Sequence, residues 1–305
     1  MKHTLDGRVI ATFGWHLLVR AADGQELRAR PFGRSLTVVC GDEVRCRVDA
    51  HHDELHVMQV LPRRTALYRA NARGGAEPVV ANLTRLLVVL AALPQPDLFI
   101  LDRYLAAATA GGISATLILN KSELGVDAAL AAELAVYVAL GYGLVHCSAH
   151  SGDGLTELRA VLTPGTVAAL VGQSGVGKSS LVRRLIPQAE IAIGTLVRAE
   201  EGRHTTTAAR QYELPPDAAL IDSPGVRDFA PAETALDERT LGFIEVERLA
   251  PGCRFTDCRH MREPACAVRA AVESGAMHPR RYESYRRLRR LREELSAARG
   301  PRRSR

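Results

Sequence analysis

Lysine is nearly absent from this chain. Of 40 basic residues only three are lysine, Lys2, Lys121 and Lys178, and arginine supplies the rest. A chain that does its general basic work with arginine keeps lysine where a compact ammonium must enter a space too narrow for a planar guanidinium. Long apolar runs are missing too: no stretch of 18 uninterrupted apolar residues occurs, which argues against a membrane-spanning helix. The start, Met1-Lys-His-Thr-Leu-Asp, has no apolar signal-peptide core, so a cytoplasmic location is expected. No internal repeat or low-complexity tract stands out. Aromatic residues make up only 5% of the 305 residues. In the first sixty, Phe13 and Trp15 could stack bases, although either also suits a core. Nothing suggests a coiled coil or a self-complementary seam, so a monomer is expected. Against these absences stand a 47% hydrophobic content, enough for two or three cores, and a mild net charge of +6.

Two of the three lysines fall inside recognisable patterns. Gly172-Gln173-Ser174-Gly175-Val176-Gly177-Lys178-Ser179 fits the phosphate-binding loop GxxxxGK[ST], with Ser180 next to it. Val167 to Val171 precedes it as a short apolar strand and Ser179 to Ile186 follows as a helix. A strand, a glycine-rich loop and a helix start together aim backbone N–H groups and a positive dipole end at phosphate. Lys178 is placed to reach the β and γ phosphates and Ser179 to hold Mg²⁺. Asp222-Ser-Pro-Gly225 fits DxxG, with Asp222 for the Mg²⁺ shell and Gly225 for the γ phosphate. Asn120-Lys121-Ser122-Glu123 approximates the guanine-reading NKxD, and Ser148-Ala149 its usual companion. Each motif follows an apolar strand, the edge at which open α/β sheets bind ligands.

The order is unusual. The base-reading pair comes before the phosphate loop, not after it, and this arrangement resembles a circularly permuted GTPase. Glu123 departs from the pattern. The usual Asp accepts from guanine N1–H and the 2-amino group, and an extra methylene obliges the backbone to shift to keep both bonds. Guanine preference is expected to persist in weaker form.

Three further features lie outside the motifs. Cys253, Cys258, His260 and Cys266 form C-x4-C-x-H-x5-C, a set of three thiolates and one imidazole suited to a tetrahedral structural zinc. Cys40, Cys46 and Cys147 sit in apolar surroundings and read as core residues. From His278 to Arg305 there are eleven Arg against three Glu, a basic tail suited to phosphate backbones.

The coarse organisation is multidomain α/β. Residues 1–62 read as five short strands, Arg8 to Val19, Gln25 to Arg30, Leu36 to Val39, Val44 to Val48 and Leu55 to Val60, as in an OB-fold barrel. Residues 63–235 alternate strands with helices, including Leu83 to Leu93 as a strand and helices over Asp97 to Ala110 and Asp127 to Leu140, and imply a mostly parallel sheet. Residues 194–210 read as a polar switch loop. Residues 236–305 hold helical segments, the Cys/His cluster and the basic tail.

Taken with Gly202-Arg-His-Thr-Thr-Thr207, Asp102-Arg-Tyr-Leu105 and Glu263-Pro-Ala-Cys266, these residues resemble the RsgA (YjeQ) family of small-subunit-dependent ribosomal GTPases over nearly the whole chain. The resemblance implies an N-terminal OB-fold, a central permuted P-loop GTPase and a C-terminal helical zinc domain. It also implies a GTP-to-GDP cycle stimulated by the small ribosomal subunit and contact with its rRNA. Ras-like GTPases orient the attacking water with a Gln just after DxxG; here that place holds Val226. The resemblance points to His204 as its substitute, and an imidazole can orient or deprotonate water near neutral pH. Thr205 or Thr206 is expected to supply a second Mg²⁺ ligand, Thr206 standing in that role beside Ser179 and Asp222. Because the chain passes from DxxG straight into the C-terminal part, a change at the γ phosphate is expected to reach the zinc domain and alter its grip on RNA. A nucleotide-gated RNA-binding module with little hydrolysis, and a permuted GTPase of large-subunit assembly, are the alternatives.

Overall fold

The computed structural model describes residues 4–33, 35–49, 54–71, 75–186, 209–227 and 230–298. The first five strands are β1 (Thr4–Phe13), β2 (His16–Ala21), β3 (Glu26–Pro31), β4 (Glu43–Asp49) and β5 (Glu54–Val60). They pair in the order β1-β2-β3-β5-β4 and close through β1–β4. Closure removes the free edges that an open five-stranded sheet would expose. Inward side chains alternate along β2 and β3 as the pleat requires, a register shift between Val9 and Ala11 interrupts the alternation in β1, and Val9, Leu17, Val19, Ala29, Val44, Cys46, Leu55 and Val57 form the barrel core.

Two strand expectations are corrected by the structure. Arg8 to Val19 is not one strand: Gly14 takes a positive φ of 60° and turns the chain between β1 and β2. Leu36 to Val39 is not a strand. Its end is tied instead to Asp42, which accepts from Val39 N at 2.8 Å and is held by Arg63 at 2.7 Å.

Next in the chain is a hairpin with no counterpart in the sequence expectation, β6 (Ala66–Ala70) with β7 (Ala76–Ala81). Then come β8 (Arg85–Ala91), α1 (Leu98–Ala110), β9 (Ser114–Asn120), α2 (Ala128–Leu140), β10 (Gly143–His146), α3 (Leu155–Ala160), β11 (Val167–Val171), α4 (Lys178–Leu185), β12 (Ala209–Leu214), β13 (Ala218–Asp222) and the single turn α5 (Pro224–Arg227). Their strands lie in the order β10-β9-β8-β11-β13-β12. All neighbours are parallel except β12–β13. Both helices on one face start at an Asp whose carboxylate caps the first turn. Asp97 accepts from Phe99 N and Ile100 N, and Asp127 from Leu130 N, each satisfying donors that lack an intrahelical partner. Helices α1 and α2 cover one face of the sheet, and α3 and α4 the other.

The expected switch loop, 194–210, falls mostly outside the described residues. Its last two residues open β12, which pairs with β1 through Ala11↔Arg210 and Thr12↔Ala209. The first half of β1 pairs with β4 inside the barrel. One strand thus joins barrel and GTPase sheet into a continuous eleven-stranded sheet.

The C-terminal part contains α6 (Ile244–Leu249), α7 (Ala267–Glu273) and α8 (Pro279–Ala298). Its core, built on Leu241, Phe243, Val246, Cys258, Cys266, Val268, Tyr285 and Leu288, extends to Ala106 of α1. Most of the basic tail is therefore a packed helix, and several of its arginines point inward. Arg281, 1% exposed, donates to both oxygens of Glu245 at 2.7 and 2.8 Å and to Asp102 at 2.6 Å. Arg280 donates to the other Asp102 oxygen at 2.8 Å and to Glu133 at 2.5 Å. Tyr137 adds its hydroxyl to Asp102 at 2.6 Å. Two guanidiniums and three carboxylates thus tie α8 to α1, α2 and α6. Residues 299–305 lie outside the described part, and with them the four remaining tail arginines.

Candidate nucleotide and metal sites

The parallel strands β8, β9, β11 and β13 all point their carboxyl ends to one edge of the sheet, and the motifs meet there. Asn120, at the end of β9, carries most of the joining. It is buried, its amide nitrogen donates to Val176 O in the phosphate loop at 2.8 Å, and its oxygen accepts from Ala149 N at 3.0 Å. One side chain thus links segments 29 and 56 residues away. The approach is close enough that Gly177, at φ 93°, could carry no side chain: a Cβ there would stand 2.2 Å from the Asn120 nitrogen.

The loop itself wraps around Lys178, whose ammonium is held by Gly172 O at 2.6 Å and Gln173 O at 2.7 Å. Ser174 and Gly175 are exposed at its tip and Val176 is buried beneath. Ser179 and Ser180 follow on the first turn of α4. On the base-reading side, Ser122 N donates to Cys147 O at 3.1 Å. Ser148 is buried, and its hydroxyl accepts from His150 N and Ser151 N at 3.2 and 2.9 Å. Hydrogen bonding from that hydroxyl, and then from its own N–H, holds the Glu123 carboxyl below the usual range. Glu123 is therefore a carboxylate at neutral pH, placed beside Ser148. Asp222 closes β13, and Gly225 follows in α5. Val226 is buried, so the place after DxxG offers no group to a water. His204, Thr205 and Thr206 lie outside the described residues.

The motifs alone do not reveal a third wall. Lys121 donates to Leu93 O at 3.0 Å, Gln173 accepts from Asp97 N at 2.9 Å, and Pro94 stands 3.6 Å from where a Cβ of Gly175 would be. The loop between β8 and α1 thus lies between the two lysine-bearing motifs. Its Pro94-Gln-Pro96 punctuation was the available signal, although it marks a turn without saying where the turn packs.

In the C-terminal part, one donor atom each from Cys253, Cys258, His260 and Cys266 lies within 4.8 Å of all the others. Nδ1 of His260 is 3.4 Å from Sγ of both Cys253 and Cys266, and those sulfurs are 3.9 Å apart. A tetrahedral zinc with Zn–S of about 2.3 Å puts its ligands roughly 3.8 Å apart, so the set fits. Burial, then the charges of Arg239 and Arg289, push the His260 pKa down to about 4. The imidazole is therefore neutral at pH 7, the form that ligates. Tyr282 and Tyr285 donate to the carbonyls of His260 and Arg259 at 2.8 and 2.9 Å, and Glu263 accepts from the amides of Arg259, Met261 and Arg262. Such outer contacts fix ligand orientation. Cys40, Cys46 and Cys147 are buried elsewhere, and desolvation raises each thiol, to about 12, 11 and 11.

Comparison with known proteins points the same way. The family model described as RsgA GTPase matches residues 60–231. A curated relative from Pseudomonas aeruginosa (strain LESB58), named small ribosomal subunit biogenesis GTPase RsgA, is 43% identical over 290 residues, covering 92% of this chain and 84% of its own length. One of the same name from Azotobacter vinelandii is 43% identical over 291 residues, covering 93% and 84%. Among solved structures, YjeQ from Thermotoga maritima superposes with a TM-score of 0.69 at 25% identity, covering 98% of this chain and 100% of its own. YloQ, described as a circularly permuted GTPase, gives 0.70 at 23% identity over 98% and 97%, a likeness of fold.

Proposed function

This chain belongs to the RsgA GTPase family, and from that premise we propose that it hydrolyses GTP to GDP and phosphate in late assembly of the small ribosomal subunit. Stimulation by that subunit and contact with its rRNA belong to the same proposal. The observation that carries it is Asn120, which joins the base-reading pair to the phosphate loop although the chain presents them in inverted order. The nucleotide residues proposed are Asn120, Lys121, Ser122 and Glu123 with Ser148 and Ala149 for the base, and Gly172 to Ser180 with Gly225 for the phosphates. Ser179 and Asp222, with Thr205 or Thr206, would hold Mg²⁺. The ion would neutralise charge on the transferred phosphoryl group.

His204 is proposed to orient the attacking water, supported by the burial of Val226 and by the family pattern around it. The donor set and spacing at Cys253, Cys258, His260 and Cys266 favour a structural zinc with no open position. The proposed division is a barrel at 1–62, the permuted GTPase at 63–235 and the zinc-binding part at 236–305. A cytoplasmic monomer is the proposed working form. Among the described residues no helix is long and apolar enough to cross a membrane.

The test is phosphate release from GTP and from ATP, with and without purified small subunits, in the wild type and His204→Ala. Strong stimulation for GTP alone, lost in the variant, is the expected result. GTP binding without stimulation would replace this reading with a passive nucleotide-gated RNA binder.

A further inference from the structure

Arg184 makes a set of contacts that none of the motifs accounts for. It lies in the last turn of α4, the helix that starts at the phosphate loop, and its side chain reaches across to the loop between β10 and α3. Nε donates to Ala149 O and Nη2 to His150 O, each at 2.8 Å. The N–H ends of the same two peptides are held as well, since His150 N and Ser151 N donate to the Ser148 hydroxyl at 3.2 and 2.9 Å. The preceding peptide is also fixed at both ends: Ser148 O accepts from Gly152 N at 2.9 Å, and Ala149 N donates to Asn120 at 3.0 Å. Three successive peptides are therefore anchored at both poles, and for two of them the carbonyl anchor is Arg184. The anchor is itself secured. Leu181 and Leu185 of α4 share a core with Leu155, Leu158 and Ala149. Arg184 O, at a helix end where carbonyls lack intrahelical donors, accepts from Arg159 of α3 at 2.8 Å.

Guanine carries an acceptor at position 6 where adenine carries an amino donor. A loop that reads this difference must keep its carbonyls turned away from the base. Ala149 O and His150 O are held towards α4 by one planar fork, and a peptide fixed at both ends cannot turn over. We propose that Arg184 is a positioning residue for base selection. It prevents the loop from offering an acceptor to the adenine amino group, so adenine is rejected at position 6. The proposal rests on the assignment of Ser148 and Ala149 to the base and names the residue that sets their orientation. An unmatched amino group is costly to a site that cannot rearrange to meet it.

The experiment measures the affinity of the full chain for GDP, IDP and ADP by isothermal titration calorimetry. IDP differs from GDP only in lacking the 2-amino group, and from ADP at position 6 and the adjoining ring nitrogen. The IDP-to-ADP preference therefore reads the end of the base assigned to the Arg184-held loop, and the GDP-to-IDP preference the other end. Arg184→Ala is expected to lower the IDP-to-ADP and GDP-to-ADP preferences about tenfold and to leave the GDP-to-IDP preference within about twofold of wild type. Arg184→Lys keeps the charge but not the fork, and should fall between the two. Ratios taken within one variant do not depend on how much of it is folded. Equal weakening of all three nucleotides in Arg184→Ala, with the ratios kept, would overturn the proposal, because Arg184 would then only support the fold or the phosphate loop. So would a fall in the GDP-to-IDP preference alone. Equal affinity of the wild type for GDP and ADP would overturn the base-site assignment and this inference with it, whereas a wild-type preference that survives in Arg184→Ala would overturn this inference alone.

Discussion

Removing Arg281 should unseat the C-terminal helix. Arg281 is 1% exposed and Glu245 5%, and the two are joined by a two-pronged ion pair. Burial alone would lower the Arg281 pKa, but Asp102 and Glu245 outweigh it and the net direction is up. Its guanidinium also lies 4.6 Å from the Phe243 centroid. Arg281→Met keeps much of the packing volume and leaves Asp102 its bonds from Arg280 and Tyr137. Glu245, however, would become a buried carboxylate without its cation. Breaking one side of a buried pair costs about 3–5 kcal/mol. At roughly 2–4 °C per kcal/mol for a domain of this size, the melting midpoint should fall by roughly 6–20 °C. The assay is thermal unfolding by circular dichroism; if the C-terminal part melts separately, its transition carries the shift. Arg281→Met/Glu245→Leu leaves no stranded charge and should recover most of the loss, because apolar replacement of a whole buried pair is often neutral. A single variant melting within about 2 °C of wild type, or a double variant no better than the single, would show that the network does not hold α8 to the GTPase part.

Three further outcomes are expected. Lys178→Ala removes an ammonium from the phosphate loop and should weaken binding of a fluorescent GTP analogue at least about tenfold, from charged hydrogen bonds of about 1.5–3 kcal/mol each; unchanged affinity would refute the phosphate role. Elemental analysis is expected to find about one zinc per chain in the wild type and less in Cys258→Ser, and chelation of the wild type should lower its melting midpoint. Burial pulls the Glu263 pKa up, but the amides of Arg259, Met261 and Arg262 outweigh it and hold it at about 2 against an ordinary 4.5. A depressed carboxyl contributes stability above its unfolded value and loses it as pH falls towards its folded one. The urea-midpoint gap between wild type and Glu263→Gln should therefore be constant near neutrality and shrink as pH drops from about 4.5 towards 2; a gap that ignores pH would count against this.

The nucleotide motifs were legible in the sequence because their chemistry is local. A phosphate loop needs its glycines and lysine within eight residues, and Gly177 is required by a contact that sequence shows only as a glycine. The metal set was legible for the same reason, with four ligands inside 14 residues. What could not be read depends on distant partners. Arg281 and Asp102 are 179 residues apart, and an arginine that pairs inward is spelled like one that faces RNA, so the tail read as uniformly basic. The hairpin β6–β7 is short, and its burial runs in blocks, the two buried residues of each strand standing together at one end, so alternation is weak. The split of Arg8 to Val19 was missed because Gly14-Trp15 interrupts an apolar run with one glycine and one aromatic, which also suits a strand.

The inverted order acquires its consequence from the segment after Asp222. In the described residues, the chain leaves α5 and reaches Pro231, which bridges to Arg69 of β6, and Ala232, whose N–H donates to Tyr68 O at 2.9 Å. Glu233 next takes the Arg103 side chain of α1. Its carbonyl and that of Leu236 accept from Arg292 of α8 at 3.2 and 2.7 Å. Within eleven residues of Gly225 the chain is therefore fastened to the hairpin, to α1 and to the last helix. On the other side of the motif, β12 is fastened to the barrel strand β1. In a GTPase with the usual order, DxxG lies mid-chain and more of the same sheet comes after it. Here the segment after it is already bonded to the C-terminal part. A shift of Gly225 that extends as far as Glu233 and Leu236 would have to carry the C-terminal part with it or break the Arg292 contacts. The proposed nucleotide readout would need two such arrangements, one with those contacts made and one with them broken.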